Sequence, residues 1–130
     1  MKKTLKVYQV NNIHARIKNV IENKDTDIKA TFKFKLLRLY SEIQNIVKDF
    51  DMTKDSLVNK YGTDVVDSEG NVTQKRVSPQ DKTWEDFVKE INDVAESNVD
   101  VEITPITAEE LFEMGLDTDA LADLVPIVEE

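Results

Sequence analysis

Three places in the chain hold side chains of the kind that do chemistry. His14, the only histidine, stands in "NNIHARIKNV". A general acid–base histidine needs a nucleophile or a carboxylate set beside it. No recognisable motif surrounds His14, so a surface or capping histidine is the plainer role. "DSEGN" spaces Asp67, Glu69 and Asn71 at alternate positions, the way a calcium loop begins. Its glycine comes fourth rather than sixth, however, and Ser78 stands where the closing bidentate glutamate belongs. A hairpin turn accounts for these residues. Asp100 and Glu102 share one face of "VDVEI", as paired catalytic carboxylates sometimes do. They alternate with Val99, Val101 and Ile103, which makes them the wet side of an amphipathic strand. The sequence has no glycine-rich phosphate loop, no HExxH and no nucleophile elbow. The expectation is a chain with no catalytic residues, no metal site and no cofactor.

Two charged stretches invite binding instead. "KATFKFKLLR" sets Lys29, Lys33, Lys35 and Arg38 among aromatics, a composition that suits nucleic acid. Phe32 and Leu36 fall on a continuous apolar stripe, so they are expected in a core rather than stacked on bases. Counterion release also needs a basic patch free of acidic neighbours. The closing stretch, Ile106 to Glu130, has carboxylates throughout and no Lys or Arg. It can cover a sheet with Leu111, Phe112, Leu121 and Leu124, dock on a basic partner, or present carboxylates where a basic groove expects phosphates.

The overall charge explains why these stretches matter. Net charge is −9 over 130 residues, yet residues 1–62 balance at +6 and residues 63–130 at −15. Opposite halves attract if they pack together, and acid left over favours basic partners and repels nucleic acid. Apolar residues at 40% are enough for a modest core, and three Gly and three Pro favour long regular elements. The absence of Cys rules out disulfides and thiolate zinc sites and suits a reducing compartment. No apolar run approaches a membrane span, and the basic opening "MKKTLKVYQV" has no apolar core after it, so no secretory signal is expected.

The elements that must position these residues follow from periodicity. Leu5–Val10 alternates as a strand that Asn11-Asn12 should end. Ile13, Ile17, Val20 and Ile21 then mark a short helix, and Asp27 is a candidate N-cap. From Ile28 the apolar positions run Ile28, Phe32, Leu36, Leu39, Ile43, Ile46, Phe50 and Leu57, close to a heptad seam. A helix over 28–61 would be about 50 Å long, so it should protrude or break, with Asp51–Thr53 the favoured break. Gly62 suits a left-handed C′ residue. Val65-Val66 and Val72–Val77 form a hairpin. Ser78, Pro79 and Asp81 suit N-cap, N1 and N3 of a helix over 79–97 that carries Trp84, Phe87, Val88, Ile91, Val94 and Ala95. "VDVEI" should pair with the first strand, because a lone strand leaves backbone groups unsatisfied. Thr107 to Glu110 is a capping box for a helix ending at Gly115, and a second helix, capped by Asp117 or Thr118, shows Leu121, Leu124 and Val125 and stops before Pro126.

The expected fold is α+β in one domain, 1–130. A long antiparallel helical hairpin, residues 28–97, is tipped by the β-hairpin, while 1–22 and 98–130 form a base whose small sheet pairs the N-terminal strand with the 99–103 strand. Tyr61-Gly62, Asp67 to Gly70, the acidic helix Trp84 to Glu96, and Val99 to Ile103 together resemble short bacteriophage proteins of unknown function. The resemblance covers most of residues 14–110, and the segment after Gly115 departs from it. It implies a phage setting, in host cytoplasm or virion, and supplies no activity. The expected function is therefore non-enzymatic protein binding, as a virion accessory or assembly factor. The alternative is an acidic inhibitor of a host defence nuclease or other nucleic-acid enzyme. The expected contact residues are Phe50, Leu57 and Tyr61 on the arm, and Glu109, Glu110, Phe112, Glu113, Asp117, Asp119 and Asp123 in the tail. The partner is a protein, basic if the tail docks, with self-association compatible and neither nucleic acid nor membrane expected.

Overall fold

The computed structural model describes residues 2–22, 28–104, 106–113 and 118–128. The fold is α+β, with one long helix and two small antiparallel sheets. The chain divides into two compact units, Met1–Val47 with Asn98–Glu130, and Lys48–Ser97. The dividing point Val47/Lys48 falls inside the long helix.

In the first unit, strand β1 (Lys2–Lys6) runs straight into helix α1 (Val7–Glu22). The strand expected over Leu5–Val10 thus lies earlier in the chain, sharing only Leu5 and Lys6 with the expected span, and the helix expected to begin near Ile13 starts at Val7. Val7 and Val10 join Ile13, Ile17 and Val20 at helical spacing, and all five are buried. A strand would have turned Val10 away from Leu5 and Val7, whereas the helix buries it with them. Gln9 fixes the start, since its Oε1 accepts the Lys6 backbone N–H at 2.9 Å, the reverse half of a capping box. Asn11-Asn12 does not interrupt the helix.

Strand β4 (Asn98–Glu102) pairs antiparallel with β1 in the register Lys2↔Glu102 to Lys6↔Asn98; the pairing of the N-terminal strand with the 99–103 segment is the expected one. Helix α4 (Ala108–Glu113), helix α5 (Thr118–Leu124) and a 3₁₀ turn (Val125–Ile127) complete the unit. The core joins Leu5, the α1 face, Phe32, Leu36, Leu39 and Ile43 of the long helix, Val101 and Ile103, then Ile106, Leu111, Leu124 and Ile127. Pro126 sits within the 3₁₀ turn, and Val125 faces out rather than joining Leu124 inside. Asp27, Met114, Gly115 and Asp117 lie outside the described residues.

The long helix α2 (Ala30–Tyr61) is continuous, about 48 Å at 1.5 Å per residue. The break expected at Asp51–Thr53 does not occur. Thr53 spends its hydroxyl on the helix's own Asp49 carbonyl at 2.8 Å instead of capping a new segment. Lys54 pairs with Asp51 one turn back at 3.4 Å.

In the second unit, the end of α2 leads through Gly62 into strands β2 (Thr63–Val66) and β3 (Val72–Arg76), and helix α3 (Trp84–Ala95) follows. Asp67 Oδ1 accepts the N–H groups of Glu69 and Asn71, and Gly70 adopts a φ of 86° to close the turn. Gly62 is not left-handed, as only Gly70 has positive φ among the described residues. Its need for glycine is close approach: a Cβ there would collide with the Val58 carbonyl oxygen and come within 3.2 Å of Arg76 N. The helix start also moves. Ser78 N–H donates to Asp81 Oδ2 at 2.8 Å, but this pair closes a turn, and α3 begins five residues beyond Pro79, at Trp84.

Candidate partner-binding site

The acidic tail is held by the basic stretch that precedes it in the chain. Helix α4 starts at the expected capping box, with Glu110 N–H donating to Thr107 Oγ1 at 3.1 Å and Thr107 N–H to Glu110 Oε1 at 3.3 Å. Capping fixes Glu110 where Lys35 of α2 reaches both of its carboxylate oxygens at 3.0 Å. That Lys35 hydrogen bond holds the Glu110 carboxyl below its ordinary range, against the opposing effect of desolvation. Lys29 meets Glu113 at 3.3 Å, and Arg16 of α1 meets Asp123 at 2.8 Å. Three of the tail's expected contact carboxylates are therefore ion-paired within the chain. Glu109 and Asp119 remain on the surface. Phe112 is 69% exposed, so it does not cover the sheet beside Leu111.

The arm residues divide differently. Phe50 is 9% exposed, the one hydrophobic side chain of the second unit that counts as buried, and it supports the interior rather than a surface. Lys54 Nζ lies 5.1 Å from its ring centroid. Leu57 and Tyr61 are half-buried. Tyr61 belongs to a polar cluster with Lys60 and Glu90. The Tyr61 hydrogen bond lowers the Glu90 carboxyl, and the same bond raises the Tyr61 phenol. Lys60 lies 3.4 Å from Glu90, and its ammonium is held up chiefly by Tyr61. Thr83 Oγ1 donates to the Tyr61 carbonyl at 2.9 Å, so the start of α3 is fixed beside the end of α2.

Sequence reasoning passed over the surface that the second unit leaves open. The apolar face of α3 is as regular as any in the chain, yet no α3 residue is buried. Trp84 and Val88, with Lys89, Asn92 and Asp93, line a shallow groove along it. Val66 and Val72 face each other across the hairpin, 54% and 59% exposed, and Met52 is exposed on α2. The legible signal was the number of layers. A hairpin and two helix segments offer too little surface to cover a tryptophan-bearing face.

The residues that invited chemistry are occupied structurally. His14 stacks on Tyr40, with centroids 4.3 Å apart and planes at 18°. Asp67 is spent on its turn, and Asp100 accepts the Thr4 hydroxyl at 2.7 Å. Among the described residues, no group of three or more His, Asp or Glu is placed to hold a metal ion. Nor is any described helix long and apolar enough to cross a membrane. Phe32 and Leu36 lie in the core, as the stripe predicts, while Phe34 and Leu37 are exposed. No family model matches the chain, and neither a curated protein nor a solved structure matches it.

Proposed function

We propose that this chain is a non-enzymatic protein-binding protein, phage-encoded, serving as a virion accessory or assembly factor through its helical arm. The observation that carries this is the α3 face. Six apolar side chains at helical spacing, Trp84 among them, are only half-buried, and Val66 and Val72 are exposed on the hairpin of the same unit. Contiguous apolar surface of this kind marks a contact site. The resemblance of residues 14–110 to short phage proteins supplies the setting. The alternative, an acidic inhibitor filling a basic groove, draws on the tail, but Glu110, Glu113 and Asp123 already face the chain's own bases.

The test is copurification with phage particles after infection, washed at low and at high salt. An apolar arm contact survives the high-salt wash, and the double variant Val66→Glu/Val72→Glu is lost from the particles while remaining folded. Absence of the unmodified chain from particles and assembly intermediates would falsify this reading. Release by salt alone would point to the electrostatic alternative.

A further inference from the structure

Within the first unit, α2 has an outer face as well as a buried one. Phe32, Leu36, Leu39 and Ile43 are buried, whereas Phe34 and Leu37 are 60% and 42% exposed. At about 3.6 residues per turn, Lys33 and Arg38 flank this apolar pair, one on each side, and both are exposed. Residues 28–41 contain Lys29, Lys33, Lys35 and Arg38 and no Asp or Glu. Lys29 and Lys35 are spent on Glu113 and Glu110, so Lys33 and Arg38 are the bases that frame the exposed pair. We propose that this basic face of α2 docks on the acidic face of α3 in a second copy of the chain.

Charge decides the occupant. Helix α3 reads WEDFVKEINDVA, which sets Glu85, Asp86, Glu90 and Asp93 against Lys89 alone. Trp84 and Val88, one turn apart, wall its shallow groove, and Glu85 and Asp93 at the rim are exposed. Phe34 and Leu37 are likewise one turn apart. Each face therefore offers an apolar pair framed by one prevailing sign of charge, and the two signs are opposite. Contacts between like faces are selected against. Two α2 faces would bring Lys33 and Arg38 against the same bases, two α3 faces would crowd Glu85 and Asp93, and like charges across an interface are costly. Every copy carries both halves of the contact, so no foreign acidic helix is needed to complete it. Such a head-to-tail contact builds rings where the rotation closes and open filaments where it does not, which suits an assembly role.

This inference rests on the reading of the α3 face as a contact site and names its occupant. The test is sedimentation velocity of the full chain over a concentration series at low and high salt. The unmodified chain should associate as concentration rises, and less so in salt, because charge frames both faces. Lys33→Glu/Arg38→Glu and Glu85→Lys/Asp93→Lys alter only exposed side chains, and each should weaken self-association about tenfold or more. Mixing the two variants should restore association, because each keeps the face that the other has lost. Far-ultraviolet circular dichroism of both variants should match the unmodified chain, and a variant that has lost helix is replaced by Phe34→Ser for α2 or Asp93→Asn for α3. A chain that stays monomeric throughout would overturn this inference alone, since copurification with particles tests the arm separately. Loss in only one of the two variants, as a like-face dimer would give, or a mixture that stays monomeric would overturn it too.

Discussion

Helices α1 and α3 are built on the same amphipathic rule, yet one closes a core and the other does not. Val7, Val10, Ile13, Ile17 and Val20 of α1 are all buried, while the apolar side chains of α3 are only half-buried. The difference is in what surrounds them. The first unit brings a sheet, α1, half of α2, α4, α5 and the 3₁₀ turn onto one cluster of side chains. The second has the end of α2, a two-stranded ribbon whose strand β3 is wholly exposed, and α3. Small units bury a smaller fraction of their surface. An apolar stripe therefore signals a need for cover, and neighbouring elements decide whether the chain meets that need itself.

The contrast is most easily broken by truncation. Leu36→Ala, at a fully buried position, should lower stability by about 2–5 kcal/mol through lost transfer energy and a cavity. Leu57→Ala, half-buried in the second unit, should cost roughly 1 kcal/mol on the same scale. Urea unfolding of both variants compares them directly, and equal costs would erase the distinction between the units. Gly62→Ala tests a close approach in the second unit. The added methyl meets the Val58 carbonyl and the β3 backbone, and overpacking of this kind costs about 1–3 kcal/mol. Thermal unfolding should show that loss, and a silent substitution would mean the α2–β2 junction is loose.

The smallest effect sharpens the electrostatic side. Glu110 titrates below its ordinary range because Lys35 hydrogen-bonds its charged form. A carboxyl with a lowered folded-state pKa adds stability above its unfolded-state pKa and loses it as pH falls through the folded value. Glu110→Gln should thus cost less than about 1 kcal/mol at neutral pH, since the pair is partly exposed, and that cost should vanish in acid. Carboxyl NMR titration should place Glu110 below the ordinary glutamate range, and Lys35→Met should return it upward. A titration unmoved by Lys35→Met would remove the ion pair from the account.

Much of the fold was legible because the signals were local. The seam through Phe32, Leu36, Leu39 and Ile43, the turn at Asp67–Gly70, the capping box at Thr107 and the alternation of Val99–Ile103 each depend on neighbours within a few residues. The errors came where two local patterns coincided. Leu5–Val7 alternates as a strand should, but Val7–Val10–Ile13 also steps as a helix should, and packing chose the helix. Thr53 has the chemistry of a cap and of a mid-helix back-bond, and continuity of the α2 stripe settled it. The expected contact residues fared unevenly for the same reason. A sequence marks Phe50 and Phe112 alike as apolar, but only the fold places one inside and the other in solvent.

By itself the sequence determined the kinds of element, their order and the separation of basic and acidic halves, because periodicity, capping and charge are properties of short segments. Only the tertiary structure decided that the tail's Glu110, Glu113 and Asp123 meet Lys35, Lys29 and Arg16. It also decided that the α3 face is only half covered. Long-range pairing and burial depend on which segments converge, and convergence is fixed by the packing of the whole unit.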